Sequence, residues 1–186
     1  MKCYTPFAAD VLVIVISMRI PVFVSCPTSL SNEQLASRKV ILDELKRAGL
    51  EPRALGRSDY PTEAPLREVA VISRHCAGGV ILGFGQIEVL RGISKRGTTG
   101  EAATRKGVRV PTPWNHLEAG ILFAVGVPML VFREDGVSGG VFDNGVTDVF
   151  VHTMPLPPLT SAQRSELSAV FMKWQAEVRS HYYSRR

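Results

Sequence analysis

Glu118 is the residue of this sequence best placed for chemistry, because it lies within the largely apolar stretch Pro111–Phe132. Thr112 is a typical N-cap and Pro113 a typical first helical residue, so the stretch predicts a helix that ends at Gly126. Apolar residues at helical spacing predict the inward face of this helix, namely Trp114, Leu117, Ile121, Ala124 and Val125. Glu118 is predicted on the same face, where a carboxylate needs partners or has a raised pKa.

A carboxylate in that position has two interpretations. It is either an ion-paired residue at the rim of the core or the reactive group of a cleft. In a cleft it could stabilise or trap the oxocarbenium-like centre that forms when a sugar–base bond breaks. Three aromatic residues suited to stacking on a base are Trp114, Phe84 and Tyr60. Asn115 either points into the cleft beside Glu118 or supports the helix cap.

Apolar strands alternate with amphipathic helices along the rest of the chain. The predicted strands are Ile20–Ser25, Pro52–Leu55, Gly79–Leu82, Met129–Phe132 and Val149–His152, and further helices are predicted at Asn32–Ala48, at Ala64–Arg74 and after Thr160. This order predicts an α/β domain with a flavodoxin-like five-stranded parallel sheet, strand order 2-1-3-4-5, and helices on both faces.

Ligands of such sheets bind beyond the carboxyl ends of the strands, near the switch point between strands one and three. The polar and small residues predicted at this edge with Glu118 and Trp114 are Ser25, Cys26, Pro27, Thr28, Arg57, Asp59, Gly83, Phe84, Asn115, Glu134 and Asp135. For the last two, ion pairing at the surface and lining of the cleft remain alternatives. His116 is predicted on the outer, solvated side of its helix.

Three segments are distinguished: an N-terminal extension (1–17), for which a poor signal peptide is the alternative, the α/β domain (18–158) and a C-terminal helix (159–186) predicted to pack on that domain. The apolar stripe of that helix, which includes Leu167 and Trp174, is predicted to cover the sheet or to form part of a dimer face. The segment 86–110 is long for a connection between a strand and a helix. It is interpreted as a functional lid or a mobile basic insertion.

The composition fits one globular domain, with 186 residues, 45% hydrophobic content and a net charge of +5. The charge allows an anionic small-molecule partner but is too small to argue for nucleic acid. The three cysteines lack metal-binding or disulfide-framework spacing, which favours a cytoplasmic setting without a metal site. No apolar run is long enough to cross a membrane. Fingerprints for dinucleotide-binding, P-loop and GxSxG enzymes are absent as well.

The segment TPWNHLEAGILFAVGVPMLVF resembles a motif of TIR domains and of the nucleoside 2-deoxyribosyltransferase-like superfamily. Trp114 followed four residues later by Glu118 is similar to the TIR pattern. Glu118 and Gly120, with Gly126 and Pro128 before the next strand, are similar to the deoxyribosyltransferase pattern. The first strand and loop, VFVSCPTS, are also similar to the element that contacts ribose or phosphate in both groups.

The resemblance implies a flavodoxin-like topology and a catalytic role for Glu118 in cleaving N-glycosidic bonds. It leaves three functions open: a TIR-like nucleotide N-glycosidase, a deoxyribosyltransferase or nucleoside-monophosphate hydrolase, and a non-catalytic sensing or assembly module. For the first, Trp114 and Phe84 would flank the base while Ser25, Thr28 and Arg57 bind ribose or phosphate. No cofactor is implied, NAD being a candidate substrate, and a homo-oligomer remains open.

Overall fold

The computed structural model describes residues 19–56, 64–104 and 107–185. The predicted extension 1–17 lies outside the described residues. The strands are β1 (Ile20–Ser25), β2 (Leu50–Arg53), β3 (Gly79–Gly83), β4 (Ile87–Val89), β5 (Gly92–Ser94), β6 (Ala102–Thr104), β7 (Val108–Val110), β8 (Met129–Arg133) and β9 (Val151–Thr153), and the helices are α1 (Asn32–Arg47), α2 (Pro65–His75), α3 (Pro113–Val125) and α4 (Ser161–Ser184).

Five strands form one parallel sheet in the order β2-β1-β3-β8-β9. Counted among the sheet strands alone, this is the predicted order 2-1-3-4-5, so the flavodoxin-like α/β architecture is confirmed. The second strand begins at Leu50, two residues earlier than predicted, because Gly49 ends the connection from α1 with a φ of 70° and Leu50 pairs at once with Ile20. The carboxyl ends of β1 and β3 are neighbours at the switch point.

Helices cover both faces of the sheet, and the alternation of side chains along each strand decides which face a residue joins. Val22 and Val24 on β1 pack into the core beneath α1 and α4. Phe23, between them, packs into the core beneath α2 and α3. Ser25 has the same parity as Phe23, so the last residue of β1 is directed toward α3.

The helices α3 and α4 begin, and α3 ends, at residues that are typical of helix caps. Thr112 caps α3 and Gly126 ends it in the left-handed conformation, as predicted. Thr160 and Gln163 form a capping box at the start of α4, the helix predicted after Thr160. Helix α4 then buries one stripe against the sheet, which consists of Leu167, Phe171, Trp174 and Val178.

Two predicted inward faces were partly wrong. Their spacing with the other apolar residues of α1 and α2 predicts Leu35 and Leu66 on the inward faces of these helices, but they are 44% and 47% exposed. Both lie in the first helical turn, and the buried residues of α1 and α2 lie further along. Ile41 and Val69, each fully buried, were predicted correctly.

In its described residues, 86–104 and 107–110, the long connection between β3 and α3 has regular structure. It contains two antiparallel ladders, β4 with β7 and β5 with β6, which follow one another along one β-hairpin. Cross-strand pairs of β-branched residues, such as Val89 with Val108, explain why the ladder forms despite the polar composition of the tip. The hairpin leaves the sheet after β3 and returns directly into α3.

Candidate functional site

The α3 helix is attached to the switch point through Asn115, which is 1% exposed. Its Nδ2 donates to Ser25 Oγ at 2.8 Å and to the carbonyl of Leu82 at 3.4 Å, at the ends of β1 and β3. Its Oδ1 accepts from the Thr112 hydroxyl at 3.1 Å, and its backbone N–H donates back to Thr112 Oγ1. The side chain therefore has partners on both of its polar atoms, as burial demands.

Ser25 connects Asn115 to Glu118 through a second hydrogen bond. Because Ser25 Oγ accepts from Asn115, its own hydrogen is available for another acceptor, and it hydrogen-bonds the Glu118 carboxylate. Burial raises the pKa of Glu118 to about 6, while the hydrogen bond from Ser25 acts in the lowering direction. Desolvation outweighs the single hydrogen bond, so this half-buried carboxyl group titrates near neutrality.

The face of α3 that packs on the sheet differs from the prediction. Asn115, Ala119 and Leu122 are buried, whereas Trp114 and Leu117 are 42% and 47% exposed. The helix is rotated because the polar Asn115, rather than the apolar residues beside it, is held by the strand ends. Glu118 consequently lies at the border of the buried face instead of within it.

Trp114 lies one helical turn before Glu118 and presents an exposed ring on the same side of α3. An exposed indole beside a half-buried carboxylate offers a flat apolar surface next to a negative charge. That the two residues share one binding site stays a prediction.

The connection from β1 to α1 supplies the remaining polar surface near this edge. Ser25 is 1% exposed, so its predicted direct contact with ribose or phosphate is replaced by its contacts with Asn115 and Glu118. Pro27 is buried, Cys26 is half-buried and Thr28 is exposed. The predicted site residues Arg57 and Asp59 lie outside the described residues.

Gly83 and Phe84 do not have the predicted ligand-binding role. Gly83 is buried in β3, and a Cβ atom there would overlap the ring of Phe142. The missing side chain thus makes room for core packing rather than for a ligand. Phe84 is 1% exposed and belongs to the core beneath α1 and α4. Its ring lies on the face of the sheet opposite to α3.

His116 was predicted to be solvated, but it is half-buried. Its ring packs edge-on against Phe142, with 5.4 Å between the ring centroids and an interplanar angle of 72°. The backbone of Gly140 approaches the same imidazole so closely that a Cβ atom would lie 2.8 Å from His116 Nδ1. These contacts assign His116 to packing beside α3.

Glu134 connects three elements at the carboxyl edge, and its pairing with Arg109 agrees with the predicted ion-pairing alternative. Its contacts with Gly85 and Gln34 were not predicted. Its Oε2 accepts from the Gly85 N–H at 2.8 Å and from Gln34 Nε2 at 2.9 Å, and its Oε1 lies 3.3 Å from the Arg109 guanidinium. Gln34 also completes a capping box with Ser31 at the start of α1. The spacing of Ser31 and Gln34 was a readable signal for this cap. The same contacts hold the base of the hairpin to the end of β8.

Within the described residues, no three His, Cys, Asp or Glu side chains come together in a way that could hold a metal ion. Among the helices of those same ranges, none combines the length and the apolar content needed to cross a bilayer. The fold and this edge define an α/β protein of flavodoxin-like topology with a carboxylate-centred candidate site. No family model, curated protein or solved structure matches the chain.

Proposed function

We propose that the protein is a nucleotide N-glycosidase of TIR-like type that cleaves the ribose–base bond of NAD or a related nucleotide. One observation carries the proposal: Glu118 is a half-buried carboxylate with a pKa near 6, hydrogen-bonded by Ser25 at the end of β1. A carboxylate kept partly dehydrated stabilises a developing cation more strongly than one in water.

The proposed chemistry places Glu118 beneath the anomeric carbon of the ribose. The C1′–N bond breaks, the base leaves with the electron pair, and the carboxylate either shields the cation or forms an ester with C1′. Water then adds its hydroxide to C1′ and releases its proton. A carboxyl group with a pKa of about 6 is mostly ionised at pH 7, as this role requires.

Trp114 is proposed as the surface on which the base stacks, because its exposed ring lies one turn before Glu118. Thr28, exposed in the connection after β1, is proposed to contact ribose or phosphate. Asn115 and Ser25 are positioning residues, since they are buried and act on substrate only through Glu118.

The test incubates the wild type and Glu118→Gln with NAD, nucleoside monophosphates and deoxynucleosides. Chromatography measures the free base that each protein releases. The matched control is Glu33→Gln, an exposed glutamate in the first turn of α1. Base release by wild type and Glu33→Gln, with a loss of at least about 100-fold in Glu118→Gln, is the expected result. Equal release by all three proteins would remove Glu118 from the mechanism.

The substrate consumed distinguishes the candidate activities. Release from NAD supports the proposal, whereas exchange of bases between deoxynucleosides indicates a deoxyribosyltransferase that uses the same carboxylate. A nucleotide that raises the melting temperature of both wild type and Glu118→Gln without being cleaved indicates a sensing module.

A further inference from the structure

The hairpin 86–110 presents an apolar face to solvent. In the β4–β7 ladder, Glu88 and Arg109 face one another on one side, and that side approaches the body of the protein through the ion pair between Arg109 and Glu134. Because side chains alternate, the opposite side is apolar. Ile87 and Val110 are paired on this apolar side, while Leu90 lies in the bend after β4 and Ile93 lies on β5. We define the hairpin surface by these four exposed apolar residues, Ile87, Val110, Leu90 and Ile93, whose exposures are 61%, 36%, 67% and 52%.

The described part of the hairpin also has an excess of basic residues. It contains four Lys or Arg residues and two Glu residues, and one of the four, Arg109, is paired with Glu134. Arg91 is exposed and lies between Leu90 and Ile93, in the middle of the apolar surface. Apolar side chains with a central arginine are typical of residues that bind another protein.

A second unpartnered surface lies at the far edge of the sheet. It is a cavity of about 550 Å³ between the end of β9 and the first turns of α4, which we call the edge groove. Its apolar rim includes Phe150 and Leu156, which are 72% and 63% exposed. The Phe150, His152 and Phe132 rings follow one another at centroid distances of 5.1 and 5.5 Å and form its aromatic wall.

The edge groove contains a carboxylate where the hairpin surface contains Arg91. Among the described residues that line the groove, Glu166 is the one acidic side chain and there is no Lys or Arg, while burial holds the pKa of the His152 imidazole below its usual range. The Glu166 charge acts on His152 in the opposite direction, which indicates that the carboxylate is close to the aromatic wall. Two exposed apolar surfaces on one chain therefore each include a charged side chain, and these two charges are opposite.

We propose that the hairpin surface of one copy docks into the edge groove of a second copy, with Arg91 facing Glu166. Each chain carries both surfaces, one on a hairpin outside the five-stranded sheet and one in a groove between β9 and α4. A two-fold arrangement forms this contact twice, which doubles the apolar area removed from water. The inference does not depend on the proposed glycosidase activity.

The experiment measures self-association by analytical ultracentrifugation, with protein from about 1 µM to several hundred µM. Wild type is expected to associate with increasing concentration. Arg91→Glu and Glu166→Arg each place like charges opposite one another in both contacts, so each is expected to raise the dissociation constant at least tenfold. An equimolar mixture of the two variants is expected to associate like wild type, because every hairpin then meets a groove of opposite charge.

Lys173→Glu is the charge-matched control, since this residue is exposed on α4 and does not line the groove. Its association should equal that of wild type, and circular dichroism should show all variants folded. A wild type that stays monomeric at every concentration overturns the proposal. Association that survives both single reversals also overturns it, as does a mixture that fails to associate. Base release measured in parallel separates this result from the glycosidase proposal.

Discussion

Asn115 Nδ2 and Ser25 Oγ are joined by a buried hydrogen bond of 2.8 Å that ties α3 to the end of β1. This bond fixes the helix rotation that brings Glu118 to the border of the core. It also occupies the acceptor side of Ser25, which leaves its hydrogen for the Glu118 carboxylate. The candidate site thus depends on a residue that ligand cannot reach.

The strength of this bond can be measured by a double-mutant cycle. Asn115→Ala leaves the Ser25 hydroxyl and the Leu82 carbonyl without a buried partner, so we expect a loss of about 2–3 kcal/mol in the free energy of unfolding. Ser25→Ala should cost less, and the two changes together should be less than additive by about 1 kcal/mol. Urea unfolding of the wild type, the two single variants and the double variant gives the four free energies of unfolding. Strict additivity of the two losses would contradict an interaction between Asn115 and Ser25.

Glu118→Gln is expected to stabilise the protein above pH 6. The folded-state pKa of Glu118 is about 6, raised from 4.5 by burial, so the folded state binds the proton more tightly than the unfolded state. Stability from this group is present below about pH 4.5 and is lost as the pH rises to about 6. Removing the charge should therefore gain about 2 kcal/mol at pH 8 and nothing near pH 4. Chemical denaturation of both proteins across this range is the measurement, and a pH-independent difference would contradict it.

Ser25→Ala is expected to raise the pKa of Glu118 above its wild-type value, because the hydrogen bond from Ser25 favours the ionised carboxylate. The titration of the Glu118 carboxyl carbon by NMR measures the change directly. Ser29→Ala, an exposed serine in the same connection, serves as the control and should leave the titration midpoint unchanged. A midpoint that falls in Ser25→Ala would show that the hydroxyl does not donate to Glu118.

Gly83→Ala is expected to destabilise the fold by about 1–3 kcal/mol, since the added methyl group overlaps the Phe142 ring. Replacing that ring with a smaller side chain, by Phe142→Leu in the same chain, should recover part of the lost stability. Thermal and urea unfolding of the single and double variants provide the test. A double variant with the full sum of both losses would mean that the two residues do not compete for the same space.

Glu134→Ala is expected to loosen the base of the hairpin. The change removes the acceptor for the Gly85 N–H and the partner of Arg109, which should cost about 1–3 kcal/mol. Faster hydrogen exchange at Gly85 is the local measurement. Asp135→Ala, exposed at the next position, is the control and should leave that exchange rate unchanged.

The prediction of α3 was correct in its ends and wrong in its orientation. Thr112, Pro113 and Gly126 act through the backbone of their own turns, so a short stretch of sequence is sufficient to predict them. The buried face depends on which residue meets the strand ends, and Asn115 bonds Ser25, which lies ninety residues away on β1. A periodicity of apolar residues contains no information about such a partner.

The predicted site residues also divide into those that depend on local sequence and those that depend on contacts with distant residues. Glu118 and Trp114 were predicted together because they lie one turn apart on one helix, which is a local relationship. Phe84 and Gly83 were misassigned because a position at a strand end does not reveal which face of the sheet is filled by a distant ring. Glu134 joins β8, α1 and the hairpin, and no single segment contained the evidence for that contact.

By itself the sequence determined the alternation of strands and helices, the helix caps and the five-stranded parallel order, because these follow from local propensity and the handedness of connections. Only the tertiary structure decided the rotation of α3, the partners of Ser25 and the pKa of Glu118. It also decided that segment 86–110 folds as a hairpin whose base is bound by Glu134. These features rest on contacts between residues far apart in the chain, and burial and hydrogen bonding exist only once those residues meet.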